Sequence, residues 1–313
     1  MESFVLAVNV VTPLLVYMFI GVLIRKFSIL TEQNCKALNS MIFRILIPLT
    51  LFFSIYESDV RSAVRPKVYL YVLLCVLASF GIVWVILKRR LSDDLPTAVT
   101  LTQAIARSNF ALFGVTIGTS LCDSEGMGTI AALMAVVTPT YNILSVLLFS
   151  ALQKNAVSKG QIVKDVLKNP LVVAGILGLI VGLSGIVIPP IIAKPLSTLG
   201  STATPMALMA LGGMLTISSI SDHRRYILFA SFMRLIGMPL IILTVAVLIG
   251  MRGVELIAIF AVFAAPTAVA STPMAQEMGG DGKLAGEIVA TTSFLSILTI
   301  FLWILVLSNM GLI

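Results

Sequence analysis

Residues Leu95–Leu121 read LPTAVTLTQAIARSNFALFGVTIGTSL, a 27-residue hydrophobic stretch with Gln103, Arg107, Ser108 and Asn109 near its middle. About 20 apolar residues cross the hydrocarbon of a bilayer, so this stretch has membrane length. Polar groups at its centre are costly unless they face protein or a water-filled cavity. A second stretch, Val254–Met278, reads VELIAIFAVFAAPTAVASTPMAQEM and carries Pro266, Thr267, Ser271, Thr272 and Pro273 at matching depth. A mid-span proline removes one backbone hydrogen bond and clashes with the preceding turn. Both stretches are therefore predicted to be interrupted helices that face something other than lipid.

The composition around them agrees. Of 313 residues, 58% are hydrophobic and 11% charged, against about 25% charged in a soluble domain. The remaining candidate spans are 4–24, 37–54, 68–87, 127–152, 170–188, 195–217, 226–250 and 284–308, which makes ten helices in an all-α integral membrane protein. Only Glu2 and Ser3 precede the first hydrophobic run, so the sequence is read without a signal peptide. The net charge of +7 is spread between hydrophobic runs, which fits positive-inside orientation and not nucleic acid. Cys35, Cys75 and Cys122 are too scattered for a disulfide framework or a zinc site. No cofactor is expected.

The polar segment Gln153–Asn169 divides the pattern into five spans (1–152) and five more (170–313). Lys and Arg on alternate sides of the spans number 13 against 5. The rule that cytoplasmic loops are positive predicts a cytoplasmic linker and both termini outside. An odd number of spans per half makes the halves run in opposite directions, as in an inverted-topology repeat. A shift of 158 residues places Asp123 on Asp281 and Asn109 on Thr267. That match joins the two interrupted helices.

Ser108 or Asn109 in one half and Thr267 in the other are suitable N-cap residue types for an outgoing half-helix. Two such starts meeting near the midplane would concentrate backbone N–H donors and partial positive charge, which suits a carboxylate. The competing reading of these residues is packing and kinking alone. Arg107 lies roughly 18 Å from the cytoplasmic end of its span, at 1.5 Å per residue, and does not easily snorkel. It is assigned either to the substrate or a gating ion pair, or to a structural pair with a helix-end carbonyl. Arg44 and Arg234 lie nearer their cytoplasmic ends and are read as snorkelling. Asn142, three residues after Pro139, is a further substrate candidate or interhelical glue. Glu287 is a proton or cation candidate, or a boundary residue beside Asp281 and Lys283. Gly114 with Gly118, and Gly178 with Gly182, are read as close-packing positions.

Ala-Arg-Ser-Asn-Phe-Ala-Leu-Phe-Gly from Ala106 to Gly114 resembles the fourth-helix motif of the auxin efflux carrier family. Asn169-Pro170, the stretch from Ala203 to Gly213 with Pro205 and Gly212, and Ala265-Pro266-Thr267-Ala268 resemble it too. Their order and the short linker look like the bacterial branch, which includes malonate and malate permease-like members. The resemblance implies two inverted five-helix repeats, a scaffold and a mobile transport domain, and fourth and ninth helices that cross while unwound. It also implies that Asn109 stands where plant relatives contact the substrate carboxylate, with Pro266 and Thr267 at the second crossover. Bile acid transporters share that fold and use sodium, but their acidic and glutamine ligands are not evident here.

The expected activity is alternating-access transport of a small organic anion such as a mono- or dicarboxylate. Arg107, Ser108, Asn109, Asn142, Pro266 and Thr267 are the substrate candidates. Proton- or sodium-coupled symport is the alternative. Moving an anion out of a cell with an inside-negative potential of about 100 mV is favourable by roughly 2.3 kcal/mol per charge. Electrogenic movement is therefore expected, with Glu287 the one coupling candidate. A single histidine, His223, argues against an intramembrane enzyme. A channel would call for rings of repeated polar residues. Expected partners are the anion and the lipid bilayer, and a homodimer is left open.

Overall fold

The computed structural model describes residues 2–56, 66–122, 124–150, 152, 170–214 and 223–313. The linker 153–169 and Asp123 lie outside the described residues. In chain order the helices are α1 (Glu2–Lys26), α2 (Glu32–Met41), α3 (Ile47–Tyr56), α4 (Pro66–Arg90), α5 (Leu95–Ala106), α6 (Phe110–Leu121) and α7 (Ser124–Ser150). They continue with α8 (Pro170–Ser184), α9 (Pro190–Ser201), α10 (Ala203–Met214), α11 (Arg224–Phe232), α12 (Met238–Leu248), α13 (Val254–Phe263), α14 (Ser271–Glu277) and α15 (Gly282–Asn309). A π-turn, Ile42–Leu46, joins α2 to α3, and another, Met233–Gly237, joins α11 to α12. Among the described residues the only β-pairing is a single antiparallel bridge between Ser108 and Thr267.

Among the described residues, five helices are long and apolar enough to cross a membrane: 33–53, 66–90, 132–150, 224–248 and 282–309. In α4 the residues Val68, Val72, Val76 and Phe80 form a buried stripe at four-residue spacing. Leu70, Leu74, Leu77 and Ile82 on the same helix are exposed, as a lipid-facing surface requires. Its last turn carries Lys88, Arg89 and Arg90, which favour both the negative helix end and the water boundary.

Short helices at the centre obey a different rule. Every residue from Thr97 to Ala106 in α5, and from Leu256 to Phe263 in α13, is buried. A helix hydrophobic on all sides belongs inside other helices. Around them lie α4, α6, α7, α11, α12 and α15, while α1, α2, α3, α8, α9 and α10 pack mainly on one another. Glycines set the closest approach in that second group. A Cβ at Gly21 of α1 would overlap the Met209 carbonyl oxygen, and one at Gly212 of α10 would overlap that of Met18.

Of the expected glycine pairs, Gly178 does sit close, because a Cβ there would lie 3.0 Å from the Phe52 carbonyl oxygen. At Gly182 the nearest atoms are 3.6 Å away, an ordinary contact, and at Gly114 only the helix's own Phe110 ring is crowded.

Candidate functional site at the crossing of two broken helices

The first break spans Arg107 to Asn109, between α5 and α6, and the second runs from Ala264 to Ala270, between α13 and α14. They meet at a single antiparallel bridge between Ser108 and Thr267. Asn109 N donates to the Pro266 carbonyl at 2.8 Å, and Ala268 N donates to the Arg107 carbonyl at 3.3 Å. Each break thereby satisfies backbone groups that the other leaves open, as buried amides require.

Asn109 opens α6: its carbonyl accepts from Phe113 N at 3.1 Å. Thr267 does not open the other outgoing helix. The N-cap of α14 is Ala270, with no side-chain bond, because Thr267 is engaged across the crossing. Its hydroxyl donates to the Ala104 carbonyl at 2.8 Å, and its N–H donates to Thr292 Oγ1 at 3.3 Å. The outgoing α14 is only seven residues long, so the expected meeting of two helix starts reduces to one, that of α6.

Arg107 is buried. Its Nη2 donates to Asn142 Oδ1 at 2.7 Å, and its Nη1 donates to Ser145 Oγ at 3.3 Å and touches the Met274 sulfur. All of these partners are neutral, and among the described residues no carboxylate reaches Arg107. Burying a cation without an anion is expensive. A cavity of about 110 Å³ lies beside it, lined by Arg107, Ser108, Asn109, Tyr141, Asn142 and Thr50 among others. Asn109 is 9% exposed, and its Nδ2 is a buried donor with no partner among the described residues. Ser108 Oγ donates to the Tyr141 hydroxyl at 3.2 Å. Four of the six substrate candidates thus converge on one cavity. Pro266 and Thr267 lie behind it, where Ala268, Val269 and Ala270 form the wall instead.

Arg234 corrects its sequence reading. It does not snorkel: it is 0% exposed and reaches the crossing from the second π-turn. Its Nε donates to the Ala265 carbonyl at 2.9 Å, its Nη1 to that of Ile105 at 3.0 Å, and its Nη2 to that of Phe263. These carbonyls end both incoming half-helices, α5 and α13, where unsatisfied acceptors and partial negative charge accumulate. The structural pairing with helix-end carbonyls that was open for Arg107 is made by Arg234. Depth along the span is the signal that the sequence offers for such a buried arginine. A π-turn is not legible in sequence, and it is this turn that carries Arg234.

Arg44, on the first π-turn, has a side chain 68% exposed and pairs with Glu277 at 3.1 Å. Beside it, Asn39 Nδ2 donates to Gln276 Oε1 at 2.7 Å. These contacts tie α2 and its π-turn to the end of α14. Glu287 is buried near the start of α15, with Oε2 2.8 Å from His223 Nδ1. His223, the N-cap of α11, has no partner that sequence separation could reveal.

A chain with membrane-length helices, two helices broken and crossed at its centre, and a small polar cavity at the crossing has features expected of a membrane transport protein. A family model described as membrane transport protein matches residues 6–304. The chain belongs to this family, that of the auxin efflux carriers its motifs resemble. An uncharacterized transporter of Methanocaldococcus jannaschii is 25% identical over 311 residues, covering 96% of this chain and 99% of that protein. An uncharacterized transporter of Methanothermobacter thermautotrophicus is 24% identical over 302 residues, covering 95% and 97%. The protein is accordingly a multi-pass membrane transport protein.

Proposed function

We propose that this transporter is an alternating-access secondary carrier of a small organic anion, a mono- or dicarboxylate, bound at the crossing. The observation that carries this reading is Arg107, a buried cation with only neutral partners beside a cavity. A carboxylate there would supply the missing negative charge and accept from the free Nδ2 of Asn109. The start of α6 adds partial positive charge on the same side. Ser108 and Asn142 shape the site, with Asn142 holding the Arg107 guanidinium. Pro266 and Thr267 support it from behind.

In this reading the helices around the crossing move against α1, α2, α3, α8, α9 and α10, and the two groups derive from two inverted five-helix repeats, 1–152 and 170–313, joined by the linker 153–169. The linker is cytoplasmic and the termini are outside, in a cell membrane. A cysteine placed at Lys159 should then escape a membrane-impermeant thiol reagent applied from outside, and labelling there would reverse the orientation. Malonate and malate are dianions near neutral pH, so their movement stays electrogenic even if one proton travels with them.

Uptake into proteoliposomes tests the carrier. Labelled malonate or malate should enter saturably, faster with an interior-positive potential, without need of sodium, and with stimulation by unlabelled substrate inside. Non-saturating flux without that countertransport would mean a channel, and a strict sodium requirement would contradict sodium-independent charge movement.

A further inference from the structure

Glu287 sits near the start of α15 with 1% of its side chain exposed. A carboxylate so placed needs a partner or a proton. His223 satisfies one oxygen at 2.8 Å, while the other, Oε1, is buried with no hydrogen-bond partner among the described residues. The second ring nitrogen of His223, Nε2, lies 3.8 Å from Asp281 Oδ2. Asp281 is fixed in turn, because its Oδ1 accepts from Leu284 N at 2.9 Å as the N-cap of α15. The side chains of His223 and Asp281 are 23% and 25% exposed, so the chain of groups runs from water to a dry carboxylate.

We propose that His223, Glu287 and Asp281 form a proton-binding site whose proton travels with the organic anion; the pairing with an anion rests on the function proposed above. With the imidazole protonated, the three groups hold two negative charges and one positive. One further proton, placed on the free Oε1 of Glu287, makes the cluster neutral, which a low-dielectric interior favours. The proton comes from bulk water by way of His223 and returns there, and no other bond changes.

Among the described residues no other charge does this task. On α11, Arg224 and Arg225 are exposed, as are Lys283 in the first turn of α15 and Arg25 and Lys26 at the end of α1. Asp94 caps its own α5, Glu277 is held by Arg44, and Arg234 is held by carbonyls. Helix α10 carries no charged residue. Among the described residues, His223 is the ion-pair partner of Glu287.

The cluster is placed to sense the crossing. Gly286 sits against α10, where a Cβ would lie 2.6 Å from Leu211 Cδ1, and 3.6 Å from the Thr272 side chain of α14. Further along α15, Thr292 Oγ1 accepts from Thr267 N in the second break. One rigid helix therefore links the proton site, the opposing helix group and the anion site.

Infrared difference spectroscopy of the purified protein in heavy water reads the proton without any anion. A protonated-carboxyl band should titrate, vanish in Glu287→Gln and move in His223→Gln. The second variant keeps the test open if the first fails to fold. In proteoliposomes, an acid-outside gradient should drive malonate or malate accumulation by roughly tenfold per pH unit for each proton carried, and Glu287→Gln should lose that drive. A titrating band that survives Glu287→Gln, or uptake indifferent to the gradient, would overturn the proposal. A Glu287 band that titrates in a protein that moves neither malonate nor malate would uphold the proton site and count against the anion-carrier reading.

Discussion

The two broken helices interrupt at the same depth and pair with each other, yet they are finished differently. In the second break, Thr267 gives its hydroxyl and its N–H to Ala104 and Thr292, and the carbonyls of Phe263 and Ala265 are taken by Arg234. In the first, Arg107 has neutral partners only, Asn109 keeps a free amide donor, and both line a cavity. Unmet polar capacity in a buried place costs free energy in the empty protein. A site that retains it on one side of the crossing, and removes it on the other, separates binding from support. The two central arginines express the same division: Arg234 is taken up by helix-end carbonyls, and Arg107, in the function proposed above, is left for an anion.

The largest effect should come from removing the support. Arg234→Met would strip donors from carbonyls of both α5 and α13, at about 1–3 kcal/mol for each buried group left unpaired. Against a total stability of about 5–15 kcal/mol, this variant should fail to yield a monodisperse species in detergent. A well-folded Arg234→Met with normal melting would show that the carbonyls find other donors.

Arg107→Gln should instead spare the fold and remove the anion. The account predicts a monodisperse protein with normal or raised melting temperature, since an uncompensated buried charge is gone, and no measurable malonate or malate binding by equilibrium dialysis. Retained affinity would make Arg107 structural. Thr267→Val sharpens the contrast from the other side. Losing the bond to Ala104 should cost about 1–3 kcal/mol in stability, read as a lower melting temperature, with affinity unchanged. A selective loss of affinity would move Thr267 into the binding surface. The smallest effect belongs to Arg44→Ala, whose exposed pair with Glu277 should contribute about 0–1 kcal/mol. Melting should stay within error, and a large shift would mean that the contact between α2 and α14 is more than a surface pair.

Much of this was legible in the residues. Among the described residues, hydrophobic length matches five of the ten expected spans to membrane-length helices, as with 226–250 for Arg224–Leu248, whereas the expected span 195–217 is divided into α9 and α10. Polar residues and proline at mid-span gave both interruptions, because neither is tolerated against lipid. What sequence could not give was partnership across the chain. His223 and Glu287 are 64 positions apart, and Arg234 and Ile105 are 129 apart. The π-turn that carries Arg234 is a backbone choice with no residue signature. The same limit misplaced the start of α14: Thr267 is a suitable N-cap by type, but a hydrogen bond to Ala104 on another helix claimed its hydroxyl first.

The central claim is that the free amide of Asn109 and the charge of Arg107 form a carboxylate site at the crossing. Equilibrium binding of labelled malonate and malate to purified protein, in wild type and in Asn109→Ala, tests it most directly. Loss of a hydrogen bond to a charged group costs about 1.5–3 kcal/mol, so the variant should bind roughly tenfold to hundredfold more weakly while eluting and melting like the wild type. Equal affinity in a well-folded Asn109→Ala, or no carboxylate binding by the wild type, would contradict it.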